Sequence, residues 1–322
     1  IPDHSTISQT RKRKFSQSTI FQDIFEEIIN QCIALGFIRG ETILTDSTLI
    51  KANASLDSLR EIVITPKQYM EQLNVNANDS LENNETQNKK KKRYTNNTHR
   101  SISDPDSRLS KRRRDTPAGL YYLEQRSIDL SGFITDVYIF KGDNHDYDPF
   151  IYRLKHQKDV FKFPIYNAVA DRGYGVGHVY KDLVDLEINA YIPPIANQHK
   201  REGMFQRGDF QYDKQKDVYI CPRGVELHRI TKVPRKKDNC HNYTGYKASC
   251  NNTCPLRKKC TRSDRSNPKS ILRSVYQDYI DLQMNNKDDP YWKNFLIKRK
   301  TLLEGSFGDA KNNHGLRRAR FR

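Results

Sequence analysis

The chain reads as an α/β protein built on a mixed sheet, and three observations predict that class. Apolar, β-rich runs recur at residues 42–50 (TILTDSTLI), twice within 119–140, and at 163–170 (FPIYNAVA). Segments with helical spacing stand at 21–37, 148–158 and 294–311. The strand and helix signals alternate from residue 119 to about 193, the order expected when helices cover a sheet with parallel members.

Taken in order, residues 21–37 place Ile24, Phe25, Ile28, Ile29 and Ile33 on one helical stripe, with Cys32 on its apolar side as a core residue. The run bounded by Gly40 and Asn53 predicts a strand, with Asp46 inside it. Residues 74–116 are rich in Asn, Lys, Ser and Asp and hold almost no large apolar side chain, which predicts a disordered insert. Residues 119–140 form two β-rich runs split by Ser131 and Gly132, a hairpin. A helix over 148–158, a buried strand over 163–170 ending at Asp171, and a helix and strand over 182–193 follow. Beyond Pro194 the character changes. Residues 207–222 alternate like a hairpin, cysteines follow among basic residues, and 294–311 return to helical spacing with Leu296, Leu303 and Phe307 on one side. The domain boundaries predicted are 1–40, a helical segment; 41–73, the first part of a core; 74–116, the disordered basic insert; 117–195, the rest of the core; 196–290, a cysteine-bearing insertion domain; and 291–322, a C-terminal helix with a basic tail.

The chain has 322 residues, 56 Lys+Arg against 39 Asp+Glu, and a net charge of +17, which favours a polyanionic partner such as nucleic acid. The excess is segregated: residues 86–114 hold eleven Lys/Arg against two acids, and residues 293–322 hold nine against two. The runs KKKKR (89–93) and KRRR (111–114) lie in the first stretch. No apolar run approaches the roughly 18 residues of a spanning helix, so no membrane is expected. The opening residues lack an apolar signal segment, and few cysteines fit a reducing compartment, so a cytoplasmic protein is expected. A start at Ile1 and an end in a basic run read as a fragment.

Three carboxylates stand out: Asp46 inside an apolar strand, Asp171 at the end of another, and Glu304 on a helix among Lys298, Arg299, Lys300 and Lys311. Each alone is explained by a salt bridge or a cap, whereas three converging would form a hard-cation site suited to Mg²⁺. Cys250, Cys254 and Cys260 form a C-x3-C-x5-C array with Cys221 upstream in YICPRG. Four thiolates complete a tetrahedral zinc site, and reduced thiols packing a small hairpin domain are the alternative. The His145–Asp146 loop and the Asp104–Asp106 pair read as turns, and Tyr291 with Trp292 as the staple of a helix start.

These motifs resemble the DDE transposases of bacterial insertion sequences, in a branch with a cysteine-bearing insert before the Glu. The resemblance rests on PDHSTIS with RKRKF (2–15), TDSTLIKANAS (45–55), ADRGYG (170–175) and LLEGSFGDAK (302–311), where six residues separate Glu304 from Lys311. It implies an RNase H-like core, catalytic carboxylates Asp46, Asp171 and Glu304 holding two Mg²⁺ or Mn²⁺ ions, and DNA contacts by Arg299, Lys300, Lys311, Arg317 and Arg318. Similar transposases carry cysteines at YICP and in a C...CPL...C run, which picks Cys221 over Cys240. The implied function is DNA strand cleavage and transfer at the ends of a mobile element. The implied partners are terminal inverted repeats and target DNA, in an active homodimer at the bacterial nucleoid. A catalytically inactive DNA-binding remnant, or an RNase H-like nuclease for other nucleic acid, are the alternative readings.

Overall fold

The fold is described from a computed structural model covering residues 6, 9–10, 13–15, 18–62, 94–110, 116–195, 203–230, 243–250, 253–261, 269–286 and 289–320. The PDHSTIS segment in large part, the basic runs at 89–93 and 111–114, Cys240 and Arg322 lie outside them. The chain divides into two units, residues 1–169 with 295–322, and residues 170–294. The α/β class with a mixed sheet and helices is the one expected.

In the first unit, α1 (Ile20–Ala34) precedes β1 (Thr42–Lys51), β2 (Leu59–Glu61), β3 (His99–Ser101), β4 (Arg108–Ser110), β5 (Gly119–Asp129), β6 (Ile134–Lys141), α2 (Phe150–Phe161) and β7 (Asn167–Val169). β1 is central. It pairs antiparallel with β5 from Ile43↔Asp129 to Lys51↔Tyr121, and parallel with β7 from Thr42↔Asn167 to Leu44↔Val169. The other edge of β5 takes β6 over most of its length and β4 near its start. Both faces of β1 are covered: Ile43, Leu44, Thr45, Ser47 and Thr48 are all buried. That is why its sequence is a nearly continuous apolar and hydroxyl run rather than an alternation. The hydroxyls are paired, Thr45 with Ser127 at 3.0 Å. α2 is pinned to β6 by polar contacts: the Arg153 guanidinium donates to Asp136 at 2.8 Å, and the Thr135 hydroxyl donates to Gln157 at 2.8 Å, all four buried.

Three expectations are corrected in this unit. The 74–116 insert is ordered over residues 94–110, because the segment borrows partners instead of building a core. β3 pairs with β2, β4 pairs with β5, Asn96 exchanges two hydrogen bonds with Leu109, and the buried Asp104 carboxylate accepts the Tyr122 hydroxyl. The strand expected over 163–170 is confined to Asn167–Val169, although Phe163 and Ile165 are buried. Here Gly40 is required: its φ is +65°, and a Cβ would stand 2.1 Å from the Phe163 ring. Along α1 the apolar stripe buries Ile29 alone, Ile28 is 53% exposed, and Cys32 is half-buried rather than core.

The second unit holds α3 (Gly177–Asp185), β8 (Asn189–Tyr191), β9 (Gln211–Asp213), β10 (Val218–Ile220), β11 (Glu226–Ile230), β12 (Tyr243–Ala248), the single turn α4 (Arg257–Cys260), β13 (Ser270–Ser274), α5 (Gln277–Asn285) and the start of α6 (Pro290–Asn312). α3 begins earlier than its sequence signal, at Gly177, where a Cβ would come within 2.5 Å of Tyr276 beside α5. Strands β9 to β13 form one antiparallel sheet in the order β13-β12-β11-β10-β9. Its core is small: Phe210, Tyr219, Leu227, Tyr246, Ala248 and Ile271. The Tyr212 and Tyr246 hydroxyls both donate to Asp217, and the Arg273 guanidinium lies 3.7 Å from the Tyr212 ring centroid. Trp292, at the start of α6, is buried against Tyr191. It therefore staples the helix start.

Candidate active site

Asp46 and Thr48 stand two apart on β1, so they point to one face of the sheet. Their register partners on β5 are Arg126 and Glu124, which share that face. The Arg126 guanidinium donates to Glu124 through Nε at 2.9 Å and through Nη2 at 2.6 Å, with both side chains buried. Charges removed from water in this way are tolerable because each is the other's partner.

α6 docks on this polar face. Beyond Trp292 at its start, Leu303 and Phe307 are its buried apolar side chains, and the Phe307 ring centroid lies 4.6 Å from the Arg126 guanidinium. Arg126 Nη1 also donates to the Ser306 hydroxyl at 2.6 Å and to its carbonyl at 3.1 Å. Arg299 Nη1 donates to Asp46 Oδ2 at 2.8 Å, and Lys311 Nζ donates to the Thr48 hydroxyl at 2.5 Å. The helix thus runs unbroken through Gly305 and Gly308 and is anchored at both ends and at its middle. It ends at Asn312, and Gly315 beyond it, whose φ is +72°, lets the Leu316 N–H return to the Ala310 carbonyl. Residues 317–319 then bridge the end of β1: Lys51 N–H donates to the Arg317 carbonyl and Ala319 N–H to the Lys51 carbonyl.

The structure sorts the residues singled out by sequence. Asp46 and Glu304 belong to the first unit and Asp171 to the second. Asp46 is partly buried, with Oδ1 accepting its neighbour's N–H, that of Ser47, at 2.8 Å. Glu304 is exposed on the flank of α6, on the same side as Lys300 and Lys311 by their spacing of four and seven. Asp171, two residues past β7, caps the 3-10 turn Arg172–Tyr174 by accepting the Gly173 N–H at 2.7 Å. Of the basic candidates, Lys300, Arg317 and Arg318 are exposed, whereas the partly buried Arg299 is turned inward to Asp46 and Lys311 reaches Thr48. Among the described residues, Arg299 Nε is buried without a hydrogen-bond partner. The last two arginines are not a loose tail: Arg318 donates to the Asn53 side chain at 3.0 Å and Arg317 to that of Asn312. Glu124, Arg126 and Thr48 were missed by sequence reasoning. The signal was there in YLEQR, where Glu and Arg alternate on one strand face, and in Thr two residues after Asp46.

Among the described residues, no three His, Cys, Asp or Glu side chains stand together as a metal-holding group. Asp46 Oδ2 is engaged by Arg299. The cysteines lie elsewhere. Cys221, Cys250, Cys254 and Cys260 are reduced and line one cavity of about 30 Å³ in the second unit. Cys221 Sγ accepts the N–H groups of Arg223 at 3.4 Å and Val225 at 3.3 Å. Burial pushes the Cys260 thiol up, Lys269 opposes this, and Cys250, Cys221 and Cys254 add to it.

Residues 220–322 match the family model described as "Transposase DDE domain". The match includes Glu304 and the four clustered cysteines but neither Asp46 nor Asp171. No curated protein matches the chain. Two solved structures are similar at 9% identity and a TM-score of 0.23: a Mos1 mariner paired-end complex with Mn, where 52% of this chain covers 39% of that one, and a Mos1 transposase paired-end complex with the left transposon end, where 58% covers 49%. The chain spans less than half the length of either.

Proposed function

We propose that this chain is a DDE-type transposase, an enzyme that cleaves DNA at the ends of a mobile element and joins them to a target, with Asp46, Asp171 and Glu304 as its catalytic carboxylates. One observation carries the reading: the helix bearing Glu304 is seated across the strand face bearing Asp46, through the Arg299–Asp46 and Lys311–Thr48 contacts. Three further findings support it. The strand order β6-β5-β1-β7, antiparallel twice and then parallel, is that of an RNase H-like core. Asp46 and Asp171 each lie two residues beyond Leu44 and Val169, which are register partners. Residues 220–322 match the DDE domain model.

In this reading Arg126 holds α6 against the sheet through Ser306 and fixes where Glu304 projects, while exposed Lys300, Arg317 and Arg318 supply phosphate contacts that position duplex DNA without reading its sequence. The substrates are terminal inverted repeats and target DNA, the active form is a homodimer, and the site of action is the bacterial nucleoid in the cytoplasm. No helix among the described residues is long and apolar enough to cross a membrane. Mg²⁺ or Mn²⁺ pairs would polarise the scissile phosphate in such an enzyme. Any divalent ion reaching Asp46 here competes with Arg299 for the same oxygen. That competition is also what favours the second reading, a DNA-binding remnant that no longer cuts.

Asp46→Asn, Asp171→Asn and Glu304→Gln should each abolish Mn²⁺-dependent nicking of duplex ends and leave duplex binding within about twofold, because none removes a phosphate contact. Nicking at wild-type rate by any one variant removes that residue from the site. A wild-type chain that binds duplex ends and never nicks them establishes the remnant.

A further inference from the structure

The cysteines of the second unit take no part in the reading above, and their placement in the fold has its own logic. They come from three parts of the small sheet. Cys221 opens the turn between β10 and β11, Cys250 stands two residues past β12, and Cys254 and Cys260 bracket the turn α4. All four cysteines nevertheless line the same cavity, walled by Phe205, Leu227 and Leu256. Among the described residues no Asp, Glu or His lines it, and the cationic ones that do are Arg223 and Lys269. At about 30 Å³ it has room for one water-sized occupant.

We propose that this cavity is a structural zinc site, with Cys221, Cys250, Cys254 and Cys260 as its four ligands. The donor set selects the metal: sulfur alone, in a group of four, suits zinc and rejects Mg²⁺ and Ca²⁺, which need oxygen. The turn at Cys221 is prepared for an anionic sulfur. Gly224 adopts φ +83°, and the turn aims the N–H groups of Arg223 and Val225 at one Sγ. Two backbone donors on one sulfur are wasted on a neutral thiol, a weak acceptor, and well used on a thiolate. Each ligating thiol releases its proton to solvent, and the doubly negative cluster that results is offset by Arg223 and Lys269. In the structure the sulfurs are not drawn into coordination geometry, so the ion must pull them together by side-chain rotation across the cavity. The need for such a tie is physical. Among the described residues the sheet's core cluster holds six buried side chains, and small cores of this kind are commonly stapled by a metal or disulfides. With all four positions filled by protein, the ion has no open site for substrate, and its role is to hold β10, β11 and β12 to α4.

The site is independent of the transposase reading, and its test needs no DNA. Full-length protein purified from zinc-supplemented cells should carry about one zinc per chain by mass spectrometry of metals. Exchange for Co²⁺ in the wild-type chain should produce strong thiolate-to-cobalt absorption, a readout that survives if a cysteine variant fails to fold. Cys254→Ser and Cys260→Ser should lose most of the zinc, and Asp46→Asn with Glu304→Gln should retain it. A wild-type chain without stoichiometric zinc or thiolate-to-cobalt absorption overturns the proposal, as does zinc that stays in the cysteine variants or leaves with the carboxylates.

Discussion

The face where α6 meets β1 and the sheet that carries the cysteines solve the same problem by different means. Both bring polar groups out of water. On the β1–β5 face Glu124 is answered by Arg126 two residues along the same strand, and Asp46 by Arg299 from α6. The five-stranded sheet instead stacks aromatic rings around few acids, with Tyr212 and Tyr246 donating to Asp217 and Arg273 lying over a ring. The first arrangement is specific and brittle, because removing one partner strands a buried charge. The second spreads its stability over apolar area and is limited by how little of that area it has.

The largest effect that separates them is expected at Arg126. Arg126→Ala leaves Glu124 buried without a partner and releases Ser306, at a cost of about 3–5 kcal/mol, whereas the paired replacement Glu124→Gln, Arg126→Met should recover much of that loss. Urea denaturation of the single and double variants measures both. Equal destabilisation by the two would mean that the pair is not a closed unit.

Leu227→Ala comes next. Leu227 is fully buried at the centre of the small sheet, and its truncation should cost about 2–5 kcal/mol through lost contacts and a residual cavity. Limited proteolysis should then cut within residues 203–274 first. Cleavage that begins in the first unit would mean that the small sheet is not the weaker of the two structures.

The smallest effect is a pH dependence. The Tyr246 and Tyr212 hydroxyls hold the Asp217 carboxyl below its usual value of 3.8, Tyr246 contributing most. A carboxyl lowered on folding stabilises the folded state above its unfolded value, and that contribution is lost as pH falls through the folded value. The second unit should therefore weaken below about pH 4, by an amount kept small by the exposure of Asp217. Asp217→Asn should flatten the dependence of thermal midpoint on pH in that window, and an unchanged profile would assign acid sensitivity to other groups.

What the sequence revealed of this molecule tracks the range over which each signal acts. The 119–140 hairpin, α2 and the helix bearing Glu304 were legible because turn residues and apolar period are local properties. Asp46 was conspicuous for the same reason, as a carboxylate inside an apolar run. The order over residues 94–110 was not legible, since its strands are held by β2, β5 and Tyr122, and composition reports only what a segment can bury by itself. Nor was the exposure of Ile28 and Cys32, because amphipathic spacing states which face is apolar and not whether anything covers it.

By itself, then, the sequence determined the α/β class, the carboxylates and cysteines worth attention, and the segregation of positive charge, all of them properties of residue type and spacing. Only tertiary structure decided that Arg299 is committed to Asp46 instead of facing solvent, that Glu124 and Arg126 close a buried pair, that residues 317–319 bridge β1, and that four cysteines from three parts of a sheet share one cavity. Apart from the Glu124–Arg126 pair, which lies on one strand and is closed by its burial, these meetings join groups distant in sequence, and which partners meet is set by strand register and by the apolar face on which a helix docks.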